Sequence, residues 1–127
     1  MSELRYTRAW NLIGVVLTLV VIVSSLVPAR YLPHLRFGDK PQHLLAYASL
    51  ALWFGGLVAP RRYAQLALAL LVLGGGIEIA QGLMGLGREA DWHDFYADAL
   101  GAALGLALCV AGLSRWPVWL EQWPRPR

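Results

Sequence analysis

Residues 9–29 carry no charged side chain. At ~1.5 Å per residue, a helix over such a run matches a hydrocarbon core of ~30 Å. Nothing else in the chain restricts its fold as tightly. Three further apolar segments follow, at roughly 42–59, 63–84 and 95–113, and each approaches the ~20 residues of a crossing. Backbone polar groups in lipid must be satisfied within the segment or in a closed barrel, and a long uninterrupted apolar run favours the helix. The expectation is an all-α membrane protein: a single four-transmembrane-helix bundle over residues 1–127, with an interfacial tail at 114–127.

Arg5 and Arg8 ahead of the first run, and Val27-Pro28-Ala29 at its end, also have the look of a secretory signal. The run exceeds the ~7–15 residues of a signal core, which favours a retained crossing. Composition agrees with lipid as the solvent: 57% of residues are hydrophobic and 15% charged, against ~45–50% and ~25% in soluble domains. The formal charge of +3 is small and no basic run lies along one face. Membrane lipids are therefore the expected partners, and nucleic acid is not. Cys109 is the single cysteine, so it makes no internal disulfide, and its apolar setting suits a small packing residue.

Loop charge sets the orientation. Arg5, Arg8, Arg61, Arg62, Arg115, Arg125 and Arg127 fall on one side; Arg30, Arg36, Lys40 and Arg88 fall on the other. The richer side is cytoplasmic by the positive-inside rule, which puts both termini in the cytoplasm. In the tail, Trp116, Trp119 and Trp123 alternate with Arg at helical spacing, as expected of an interfacial anchor.

With that topology nearly every unusual polar residue lands at the outer end. Asp39 and Gln42 have the spacing of a capping pair around Pro41, a residue tolerated in a first turn. His43 and Tyr47 lie four apart on one face of the second segment. Glu78 interrupts the apolar third segment. It shares a stripe with Gly74, Gly82 and Gly85, where glycine lets a neighbouring helix approach, and Gln81 sits one turn nearer the outer loop. The fourth segment carries Asp94 and Asp98, continued by Gly101 and Gly105, and Arg88 and Asp91 precede it. An ionised side chain at the bilayer centre costs about 2.5–3.5 kcal/mol on insertion scales, so such residues face one another, a cavity or a partner. Structural pairing would explain one or two of them. The convergence of three segments points to a pocket.

The stretches "DKPQHLLAYASLAL" and "IEIAQGLMGLGREADWHDFYADALGAALG" resemble the VanZ-like family of small bacterial membrane proteins. The resemblance covers residues 39–105 and falls on Asp39, Lys40, His43, Glu78, Gln81, Arg88, Asp94, Gly101 and Gly105. Asp98 stands where that family usually has Asn. The resemblance implies four helices, the bacterial cytoplasmic membrane, and a link to glycopeptide resistance of the teicoplanin type.

Three functions compete. The first is a cell-envelope binding protein whose pocket holds a lipid, lipid-linked precursor or other amphiphile. Its ligand-binding set would be Asp39, Lys40, His43, Tyr47, Glu78, Gln81, Arg88, Asp91, Asp94 and Asp98, with the cations suited to phosphate or carboxylate. The second is a membrane-embedded enzyme acting on a lipid headgroup, with His43, Glu78 or Asp94 as acid or base. No phosphate loop, nucleophile elbow or His-Glu-x-x-His is present. No metal set is assigned, and His43, Asp94 and Asp98 would hold a divalent ion only by convergence in space. The third is a small transporter or proton path, disfavoured because the charges cluster at one end and no inverted repeat is evident. The sequence names no cofactor and leaves a homo-oligomer open.

Overall fold

The computed structural model describes residues 4–26, 39–84 and 92–123, and the side chains of residues 39–41 lie outside that set. Its order is α1 (Thr7–Leu26), α2 (Asp39–Gly55), a 3-10 turn at Pro60–Arg62, α3 (Tyr63–Met84), α4 (Trp92–Ala111), a second 3-10 turn at Leu113–Arg115, and α5 (Trp116–Glu121). No strand occurs among the described residues.

Three of these helices are long and apolar enough to cross a membrane: α1, α3 with its Pro60–Arg62 lead-in, and α4. The second differs from the expected 42–59. It runs for 17 residues from Asp39 and stops at Gly55, about 25 Å at ~1.5 Å per residue. Its end is built by tertiary contacts. The Tyr63 hydroxyl donates to the Gly55 carbonyl at 2.6 Å, and Leu57 and Val58 turn back onto the Phe54 carbonyl. Pro60 then opens the next turn, where its missing N–H costs nothing. The fourth helix begins at Trp92 rather than 95 and ends at Ala111. Gly112 follows at φ 148°, a conformation side chains rarely adopt, and so redirects the chain into α5.

The core gathers Tyr47, Leu50, Ala51, Leu70 and Ala102, with Leu17, Phe54, Leu66 and Leu106 packed around it. The closest helix pair is α2 with α4. A β-carbon on Gly101 would strike the Leu44 carbonyl, and one on Gly105 would lie 2.5 Å from the Ala48 carbonyl. Glycine at both positions lets the two backbones touch. Outward the order is inverted: Leu12, Val16 and Val23 of α1, Leu68, Val72 and Leu83 of α3, and Leu100, Leu108 and Val110 of α4 are all exposed. A girdle of that extent on three helices is compatible with lipid as the surrounding solvent.

At one end of the bundle the chain's first and last described turns meet. Glu121 accepts hydrogen bonds from the Arg5 and Tyr6 backbone and from Trp10 Nε1. Trp10, Trp53 and Trp116 stack there, with Trp53 and Trp116 centroids 4.5 Å apart. Trp116 donates to the Leu52 carbonyl at 2.8 Å. The tail therefore departs from a simple anchor: Trp119 and Trp123 are exposed, whereas Trp116 is packed into the bundle.

Candidate functional site

The opposite end holds the polar residues. The C-terminal ends of α1 and α3 and the N-terminal ends of α2 and α4 meet there, fixed by Gln81 Nε2 donating to the Ser25 carbonyl at 2.6 Å. That carbonyl belongs to the last turn of α1, where carbonyls lack a helical partner. Glu78 and Asp98 each stand six positions from their helix ends, about 9 Å deep at ~1.5 Å per residue.

His43 is the hub. Its Nδ1 lies 2.8 Å from Asp98 Oδ1, and its Nε2 lies 4.0 Å from Asp94 Oδ2. Glu78 completes the ring, since one ligand-type atom from each of His43, Glu78 and Asp94 lies within 4.8 Å of the other two. All four residues are buried, Glu78 and Asp98 to 1% exposure. Three carboxylates and one imidazole in so dry a place need counter-charge: protons on some of them, or a cation among them. The Asp98 carboxylate rests against Gly74 of α3, whose missing β-carbon leaves the space it fills.

Tyr47 sits one turn from His43 and is 1% exposed. Its hydroxyl has no hydrogen-bond partner among the described residues. His43 and Tyr47 also line a cleft of about 230 Å³ between α1 and α2, walled by Val20, Val21 and Ala46 and edged by Ser24, Ser25 and Gln42. The Ser24 and Ser25 hydroxyls bond back to the Val20 and Val21 carbonyls, which satisfies them without water.

Of the residues singled out in the sequence, His43, Tyr47, Glu78, Gln81, Asp94 and Asp98 are buried at this one end. The side chains of Asp39 and Lys40, and the whole of Arg88 and Asp91, lie outside the described residues. Ser24, Ser25 and the Val20–Val21 wall were not anticipated. The serine doublet near the end of an apolar run was the one signal available for them. Comparison with protein-family models, with curated proteins and with solved structures returns no match for this chain.

Proposed function

We propose that this chain is a four-crossing protein of the bacterial cytoplasmic membrane, akin to the VanZ-like family, that binds a lipid, lipid-linked precursor or other amphiphile. Both termini are cytoplasmic and the polar end faces outward. The observation that carries the reading is the cleft between α1 and α2, lined by the aliphatic Val20, Val21 and Ala46 together with His43 and Tyr47. An amphiphile has that same division. At about 230 Å³ the cleft falls below the ~300–1,000 Å³ of drug-sized sites, so it takes a headgroup and the start of a chain rather than a whole lipid. By the family resemblance, the same binding would underlie a link to teicoplanin-type resistance.

Native mass spectrometry of the full chain, released from bacterial membranes, tests this. Wild type is expected to retain a lipid-sized adduct, and Ala46→Phe, which fills the cleft, to lose it while remaining folded. Equal retention by both would sink the reading. Orientation is checked by cysteine substitution at Ser2 and Gly38: an impermeant thiol reagent outside the cell should label only the second.

A membrane-embedded enzyme is the second reading. It is favoured by the 2.8 Å contact between Asp98 and His43, in which a carboxylate orients an imidazole as in general acid–base sites.

A further inference from the structure

The cluster at His43 has the composition of a metal site that the sequence pattern does not announce. His43, Glu78 and Asp94 come from α2, α3 and α4, so the set exists only once the bundle has formed. Each offers one donor atom within 4.8 Å of the other two. Donors held at ~2.0–2.2 Å by one tetrahedral ion lie about 3.4 Å apart, so the 4.0 Å between His43 Nε2 and Asp94 Oδ2 and the spread of up to 4.8 Å across the set must close by side-chain rotation when an ion binds.

The surroundings point the same way. Metal-bound histidine usually gives its other ring N–H to a carboxylate, which fixes the tautomer and leaves the second nitrogen free to ligate. Asp98 is placed for that role at 2.8 Å from Nδ1, which leaves Nε2 turned toward Asp94. Independently of the cluster's own bonds, the buried Tyr47 hydroxyl, one turn from His43 on α2, lacks a partner among the described residues. A water or ligand oxygen on an ion at this place would supply one. His43 and Tyr47 line the cleft, so an open coordination position would be reachable from it.

We infer that His43, Glu78 and Asp94 bind a divalent transition ion of the Zn²⁺ or Mn²⁺ class, with Asp98 as the positioning residue behind His43. An imidazole nitrogen with two carboxylates suits these ions, whereas Ca²⁺ calls for six to eight oxygens. The inference goes beyond the ligand-binding reading and does not depend on it.

The test uses the full chain purified in detergent, stripped of metal and titrated with Zn²⁺, Co²⁺ and Mn²⁺. One ion per chain is expected, with Co²⁺ giving the visible absorption of a low-coordinate site containing nitrogen. Zn²⁺ should shift the His43 ring resonances at one equivalent. His43→Gln and Asp94→Asn should abolish saturable binding. Asp98→Asn should keep the Co²⁺ spectrum but weaken affinity by about 10–100-fold. No saturable binding by wild type, unshifted His43 resonances, or an affinity in Asp94→Asn equal to wild type would each overturn the inference. The wild-type titration decides even where a variant fails to fold. Lipid retention that survives metal stripping, beside saturable metal binding, supports both sites as separate.

Discussion

A methyl group on residue 74 would lie 2.8 Å from Oδ2 of Asp98, so Gly74 of α3 is the floor on which the α4 carboxylate rests. The other carboxylate oxygen is held by His43, so Asp98 has little freedom to withdraw. Gly74→Ala is therefore expected to destabilise the bundle by about 1–3 kcal/mol, the usual cost of overpacking, and to disturb the His43 ring environment. Gly76 provides the control, because a β-carbon there meets nothing within 4 Å. Gly76→Ala should be neutral or stabilising by up to ~1 kcal/mol. Thermal unfolding in detergent compares the two; equal melting temperatures would contradict the packing.

Gly101 and Gly105 should matter more. There the added carbon would meet the backbone of α2, at the Leu44 and Ala48 carbonyls, rather than a side chain that can turn away. Gly101→Ala or Gly105→Ala must part α2 from α4. Each is expected at or above the upper end of the ~1–3 kcal/mol overpacking range, with loss of the His43–Asp98 contact. Unfolding followed by tryptophan fluorescence ranks them against Gly74→Ala, and a smaller loss than that variant shows would be inconsistent with the close approach.

Glu121 makes the far end sensitive to acid. Partial desolvation works to raise its pKa, but hydrogen bonds from Trp10, Arg5 and Tyr6 and the charge of Arg5 outweigh it and hold it below the usual 4.5. A carboxylate depressed on folding adds stability that is fully present above its unfolded pKa and is lost as pH falls through the folded one. Docking of the N-terminal turn on α5 should thus be intact at neutral pH and loosen below about pH 4.5. In Glu121→Gln it should be weaker at neutral pH and nearly flat over that range. Tryptophan fluorescence of the Trp10–Trp53–Trp116 cluster against pH reads the difference, and superimposable profiles would remove Glu121 from the account.

Helices and the clustering of polar residues were legible because both follow from local pattern. Apolar length marks the segments, and alternating direction brings His43, Glu78, Asp94 and Asp98 to one end whatever the details of packing. What pattern could not supply depended on distant partners. The end of α2 is set by Tyr63 reaching back to Gly55. Trp116 reads as an interfacial residue until Trp10 and Trp53 are brought beside it. Gly74 shares a stripe with Glu78 in the sequence, yet the carboxylate it accommodates is that of Asp98, from another helix. Glu121 has its partners more than a hundred residues away, where spacing carries no signal.

Glu78 separates a scaffold from a working pocket. It is 1% exposed, and Glu78→Gln keeps the outline of the side chain while replacing one oxygen with an amide donor. A residue that only filled space would tolerate the change, so insertion, expression and unfolding should stay close to wild type. A residue that supplies negative charge to a ligand or ion would not, so lipid retention and any lowered susceptibility to a teicoplanin-type antibiotic should both disappear. Asp98→Asn is the informative companion, since it removes the charge and still has an oxygen to offer His43. It should keep the fold and part of the ligand retention. The two variants are compared with wild type at equal membrane level in a susceptible bacterial host. Glu78→Gln matching wild type in lipid retention, susceptibility and metal binding alike would return Glu78 to packing.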